Sequence, residues 1–191
     1  MGPSKNIAEF FHCLSMLENM TSQLYELLSQ KVEFPLAKSS FLTIAKESEN
    51  HSSMLKHVIE RLGSAEFKEK DCKKGLGETW EYVIDLFQSI QKESSFDSEE
   101  LLELSKKLAV IEANYVEEYS ISVKLKTLEY MSSEISKAYN IDLNEIKSTL
   151  EAIIAEEESH QRLLYELTET LSDLNGKTQK SILNFPTYIR P

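Results

Sequence analysis

Cysteine is nearly missing from this 191-residue chain: Cys13 and Cys72 are the only two, and they form no CxxC pair. A disulfide framework and a thiolate-ligated iron or zinc module are therefore both disfavoured, and Cys13 reads as a small buried hydrophobe. Glycine and proline are scarce as well, at five and four residues, while Glu, Lys, Leu, Ser and Ile abound, which favours helices over sheets. No apolar run approaches the roughly 18 residues that a membrane span needs. Met1 to Phe11 has neither the basic region nor the apolar run of a targeting segment. The expectation is a soluble, cytoplasmic protein with no membrane partner. Positive charge is in the minority, 21 Lys and Arg against 32 Asp and Glu for a net charge of −11. Phosphate contacts require clustered basic side chains, and here they are scattered, so no nucleic-acid partner is expected.

What the chain does have is helical periodicity. Ile7, Phe11, Leu14, Glu18, Thr21, Tyr25 and Leu28 form one stripe, predicting a first helix that ends near Gln30. Lys31 to Ser39, with Pro35, reads as a connection to a second helix with the stripe Phe41, Ile44, Ser48, His51, Leu55, Val58 and Leu62, stopped by Gly63. Ser64 to Asp97 is a long crossover, in which a charged stretch (Lys68 to Gly77) precedes a short extra helix at about 78 to 92, carrying Trp80, Val83, Ile84, Phe87 and Ile90. Asp97 or Ser98 caps the next helix, with Glu99 and Glu100 in its first turn and the stripe Leu101, Ser105, Leu108, Glu112, Tyr115, Tyr119 and Ser122. Leu125 to Ala138 stays compatible with helix before the break at Tyr139 and Asn140. The last helix runs from near Asp142 to about Asn175, with the stripe Ile146, Leu150, Ile153, Glu157, His160, Leu164, Leu167, Leu171 and Leu174, and Gly176 as its stop. Residues 1–176 thus read as one all-α four-helix bundle. Residues 177–191 read as a tail whose Ile182, Leu183, Phe185, Tyr188 and Ile189 leave docking on the bundle or on a second copy open.

Ionisable groups interrupt the stripes in pairs. Burying a charge costs several kcal/mol unless something pairs with it or coordinates it, so these interruptions point to a site. Superposing the chain's halves places Leu17-Glu18 over Ile111-Glu112, Tyr25 over Tyr119, Ile44 to Glu47 over Ile154 to Glu157, and His51 to Leu55 over His160 to Leu164. Seven residues is nearly two helical turns, so Glu18 and Tyr25 share a face, as do Glu112 and Tyr119. The tyrosines are then candidate hydrogen-bond partners of a metal site or neighbours of its redox chemistry, although aromatics on such stripes, Trp80 included, are more often plain core.

Glu157-Glu158-Ser159-His160 is a Glu-x-x-His pair, and Glu18 and Glu112 are single glutamates seven residues before a tyrosine. On these motifs the chain resembles the rubrerythrin type of the ferritin-like superfamily over residues 5–62 and 98–175. The resemblance implies a ferritin-like four-helix bundle with a long crossover between its second and third helices. It also implies a metal site of Glu18, Glu47, His51, Glu112, Glu157 and His160. The second helix departs from the pattern, since Ser48 stands three residues before His51 and Glu47 four before it. A π-bulge between Glu47 and His51 would keep Glu47 as a ligand, and this is the favoured reading. Without it, Ser48 has replaced a ligand. Glu156, four before His160, is the reserve candidate for Glu157; otherwise it, Glu117, Glu118 and Glu158 read as solvated charges, and His12 and His57 as ordinary helix residues.

Four carboxylates and two neutral imidazoles would neutralise two divalent cations. Oxygen and nitrogen donors without thiolate suit iron, manganese or zinc, and the resemblance implies two iron ions. The function so implied is a di-iron oxidoreductase acting on hydrogen peroxide or O₂, peroxidase or ferroxidase-like. The family's Cys-ligated iron module is absent, so an external electron donor is expected, and a homodimer is compatible with the pattern. The competing expectation is a non-enzymatic helical interaction or structural protein with a partial or vestigial metal site.

Overall fold

The computed structural model describes residues 3–62, 69–124, 143–174 and 176. They form five helices: α1 (Pro3–Lys31), α2 (Pro35–Leu62), α3 (Glu69–Lys92), α4 (Ser98–Lys124) and α5 (Leu143–Leu174). No strand occurs among the described residues. Helix α1 packs along α2 and α4 along α5; α2 meets α5, and α3 lies against α1. No helix is long and apolar enough to cross a membrane among the described residues.

The helices start and stop where local chemistry dictates. The link between α1 and α2 is shorter than the proline suggests, because Pro35 begins α2 instead of interrupting it. The Phe34 carbonyl accepts the first helical bond from the Lys38 amide (3.0 Å), and proline fits that first position because its missing N–H would have no partner there. Asp97 caps α4 through Oδ1, which accepts from the Glu99 and Glu100 amides, both at 2.9 Å, while the Glu100 carboxylate accepts from the Asp97 amide at 3.0 Å. This reciprocal pairing is a capping box. Helix α5 ends before Gly176, whose φ of 64° suits glycine and whose amide bonds the Asp173 carbonyl at 3.1 Å. The proposed stop at Gly63, the stretch Leu125 to Asn140 and the tail 177–191 lie outside the described residues.

The crossover holds two departures from expectation. Helix α3 starts at Glu69, earlier than the charged stretch suggests, and bends at Gly77, whose φ of 54° and ψ of −127° are not helical. Beyond that bend lies the segment expected from the sequence, with Trp80, Val83 and Ile90 buried. Before it lies Cys72, which forms a disulfide with Cys13 of α1. A disulfide, disfavoured by the cysteine count, is present all the same, and Cys13, read as a small buried hydrophobe, is buried as half of a crosslink. Packing of α3 on α1 brings the two Cα atoms to 5.0 Å, within disulfide reach. Nothing in the spacing of two cysteines signals how a crossover folds back. Such bonds are commonest in oxidising compartments, so the expected cytoplasmic location gains no support from it. At the other end of α3, the Lys31 ammonium donates to the carbonyls of Ile90 (2.8 Å), Gln91 (3.2 Å) and Glu93. A cation there satisfies carbonyls that a helix end leaves unpaired.

The core is made of the apolar stripes. On α5, Ile146, Leu150, Ile153, Leu164, Leu167 and Leu171 are buried, and only Leu174 emerges. Where α1 and α2 approach, two small residues, Ser15 and Ser52, are buried between them. Ser52 donates to the Ser15 carbonyl at 2.8 Å, and the Ser15 hydroxyl donates to the Ser52 carbonyl at 3.2 Å.

The disulfide spans a sequence separation of 59 residues, for which unfolded-chain entropy gives a stabilisation on the order of 4 kcal/mol. The double variant Cys13→Ala/Cys72→Ala should therefore unfold at a clearly lower denaturant midpoint. The same midpoint for wild type and variant under non-reducing conditions would mean that the bond contributes nothing.

Candidate metal centre

Each of α1, α2, α4 and α5 brings one polar turn to the middle of the core. Glu18 (α1), His51 (α2), Glu112 (α4), and Glu157 with His160 (α5) are all buried. They fall into two groups, Glu18–His51–Glu157 and Glu112–Glu157–His160, and within each group the potential ligand atoms lie within 4.8 Å of one another. Glu157 belongs to both. Its Oε1 lies 2.8 Å from His51 Nδ1, and its Oε2 lies 3.4 Å from His160 Nδ1. The single glutamates complete the arrangement, with Glu18 Oε2 at 3.7 Å from His51 Nδ1 and Glu112 Oε2 at 3.3 Å from His160 Nδ1. The imidazole centroids are 5.9 Å apart.

Both imidazoles turn Nδ1 inward and Nε2 outward, and each outer nitrogen meets a carboxylate from the opposite helix. His51 Nε2 is 2.6 Å from Glu156 Oε2, and His160 Nε2 is 2.7 Å from Glu47 Oε2. With the outer nitrogen bonded to a carboxylate, an ion at the centre would meet Nδ1 and displace the proton there, while Nε2 keeps its own. Carboxylate–imidazole pairs of this kind orient metal-binding histidines and raise their basicity. Glu47 and Glu156 are part exposed, their side chains 36% and 48% accessible. They stand between the buried imidazoles and solvent.

This geometry corrects the proposed bulge. Helix α2 is α-helical throughout, with no π turn between Glu47 and His51. The two halves match without an insertion: Ile44 and Ile153, Ser48 and Glu157, His51 and His160, and Leu55 and Leu164 are all buried. The true counterpart of Glu47 is Glu156, and the counterpart of Glu157 is Ser48. Glu47 is held at the outer nitrogen of His160 and is not a member of either buried group. Glu156, expected to be a solvated charge, is bonded to His51; the signal was its position four before His160, matching that of Glu47 before His51.

Tyr25 donates its hydroxyl to Glu112 Oε1 and packs on Phe41 with centroids 5.8 Å apart. Tyr115 pairs with Thr21 across the same α1–α4 contact. Burial and the nearby carboxylates hold both phenols well above their ordinary pKa, so both stay protonated. The side chain of Tyr119 lies outside the described residues. His57 sits near Glu60 on an exposed surface, away from the centre.

Electrostatics tie the centre together. Burial alone would lower the imidazole pKa values, but the surrounding carboxylates, Glu157 and Glu18 at His51, and Glu112 and Glu157 at His160, outweigh it and raise each to about 11. Burial, reinforced by the charges of Glu18 and Glu112, pushes Glu157 up to about 8 despite the two histidines. Burial would raise Glu112 too, yet His160, Glu157 and Tyr25 hold it below the ordinary carboxylate value. Protons thus supply the positive charge that a cation would otherwise bring.

The residues fit a metal ion. Both oxygens of Glu157 and Nδ1 of His51 are buried with only each other and the neighbouring ionisable groups of the cluster to compensate them, and the buried hydroxyl of Ser48 has no hydrogen-bond partner. Unpaired polar atoms are rare in a protein core, and oxygen and nitrogen donors gathered on one interior spot suit a hard or borderline divalent cation. No family model, curated protein or solved structure matches this chain.

The pKa shifts give a signed expectation for metal-stripped protein. His51 and His160 bind their protons more tightly when folded, so the stability they contribute is complete below pH 6.5 and is lost as the pH rises towards 11. Glu157, raised from 4.5 to about 8, acts in the same direction over that lower window. Denaturant unfolding after chelation should show a lower midpoint at pH 9 than at pH 6, and the difference should shrink in His51→Gln/His160→Gln.

Proposed function

We propose that the chain is a ferritin-like protein of the rubrerythrin type that holds two iron ions and reacts with hydrogen peroxide or O₂, as a peroxidase or ferroxidase. The observation that carries this reading is Glu157, one carboxylate common to two three-ligand groups with a separate oxygen towards each. Two ions sharing a carboxylate is the arrangement that dinuclear chemistry uses. The four helices bearing the cluster, with α3 in a long crossover, fit a ferritin-like bundle.

Glu18 and His51 would hold one ion, Glu112 and His160 the other, with Glu157 between them. Bound iron supplies Lewis acidity and one-electron redox steps. The protein's own part is orientation and proton control. Glu156 and Glu47 keep the Nε2 protons in place, so that Nδ1 faces inward. The Tyr25 hydroxyl holds Glu112 through Oε1, leaving Oε2 directed to the His160 side. Cys13 and Cys72 are bonded to each other and ligate nothing, so electrons for a peroxidase cycle would come from an external donor. Manganese and zinc fit the same donors.

One observation favours a more modest reading. Ser48 occupies the place where symmetry with Glu157 calls for a fourth carboxylate, which fits a metal-binding bundle without turnover.

Anaerobic Fe(II) titration should give two equivalents per chain, falling by at least one in His51→Ala and in His160→Ala. Uptake below one equivalent in the wild type would end the di-iron reading. The ferrous protein should be oxidised by hydrogen peroxide or O₂ faster than free Fe(II); equal rates would leave the metal-binding bundle. In a competition assay Glu156→Gln should weaken metal binding by about 10- to 100-fold, the usual effect of removing a carboxylate behind a ligating histidine.

A further inference from the structure

Ser48 has a hydroxyl that the fold does not use. Its side chain is 1% exposed and has no hydrogen-bond partner. Other buried hydroxyls are treated differently: Ser105 and Thr168 return theirs to helix carbonyls at 2.8 and 2.7 Å, and Ser15 and Ser52 bond across the α1–α2 contact. Ser48 lies one turn before His51 on the same buried stripe of α2, as Glu157 lies one turn before His160 on α5. In the pseudo-symmetric cluster Ser48 therefore takes the place opposite Glu157, with a side chain shorter by two bonded carbon atoms and lacking a charge.

Charge points the same way as volume. Glu18, Glu112 and Glu157 are the carboxylates of the two buried groups. With neutral imidazoles they leave a pair of divalent cations one negative charge short of balance. Glu47 and Glu156 lie outside the imidazoles and are part exposed, where water screens them. A buried uncompensated charge is costly.

We propose that Ser48 opens a position at the metal pair for one small exogenous anion, of the hydroxide, hydroperoxide or azide class, and that its hydroxyl donates a hydrogen bond to that anion. The proposal rests on the two-metal reading and assigns to it the place where the oxidant enters. The anion fills the space that a fourth glutamate would take, supplies the missing charge, and gives Ser48 Oγ its partner.

Azide binding to ferric-loaded full-length protein tests this, read from the absorption band that azide gives on coordinating ferric iron. Iron content is measured first on every sample. The wild type should bind azide with saturation. Ser48→Ala keeps the space but loses the donor, and should bind azide about tenfold more weakly at unchanged iron content, the usual scale of one hydrogen bond to a charged group. Ser48→Glu restores the fourth carboxylate and should keep two iron ions while losing azide. Ser48→Val, which fills the space without a charge and guards against a misfolded glutamate variant, should also lose azide. Wild-type protein that holds two iron ions but shows no azide band would overturn the proposal while leaving the two-metal reading standing. Equal azide affinity in wild type, Ser48→Ala and Ser48→Val would overturn it as well. Failure to load iron at all would remove both readings together.

Discussion

A carboxylate with no access to solvent, set between two imidazoles, is the constraint on which the remainder of this molecule depends. Glu157 loses its hydration on folding and recovers compensation only if His51 and His160 reach it from either side. Removing one partner from such a buried set typically costs several kcal/mol, because it leaves a charge uncompensated. The consequence is geometric. Helices α1, α2, α4 and α5 must each present a particular turn at one level of the bundle, and a slide of one helix by a single turn, about 5.4 Å, would carry its polar residue into apolar surroundings. Leucine stripes tolerate many registers; this cluster tolerates one.

Polarity falls off in layers around that point. Inner carboxylates and Nδ1 atoms face one another in the buried interior, while Glu47 and Glu156 hold the outer imidazole nitrogens at a boundary that solvent reaches. Each imidazole therefore links a buried side to a solvent-facing one. Tyr25 and the Tyr115–Thr21 pair close the cluster on the α1–α4 side with neutral donors that stay protonated.

The helices were legible because apolar residues recur at helical spacing over long stretches, and the polar interruptions at Glu18, His51, Glu112, Glu157 and His160 stood out against them. The first residue of α2 was less so, since Pro35 both ends connections and starts helices, and only the Phe34 carbonyl bond decides. The bulge expected beside Glu47 is missing for a related reason. Residue identity favoured matching Glu47 with Glu157, but burial obeys the rotation of a regular helix, and that rotation puts Ser48 inside. Ser48 already stood on the stripe of the second helix, three residues before His51, and superposing the two histidines puts it in the position of Glu157. The Cys13–Cys72 bond was hidden for a different reason: it depends on the path of the crossover, which periodicity does not encode.

Among the described residues, helix α1 is bonded to three other helices. It is joined to α3 through Cys13 and again through Lys31, to α2 through Ser15, and to α4 through Thr21 and Tyr25. These attachments are spread along its length, so no single thermal fluctuation releases it. Helices α2 and α5, by contrast, are joined at the imidazoles, through His51 to Glu156 and Glu157 and through His160 to Glu47. The molecule therefore divides into a fixed spine and a seam, and the seam is fastened by the same groups that would bind the ions. An ion bound at the centre would therefore also tighten the seam, with the spine as the surface it closes against.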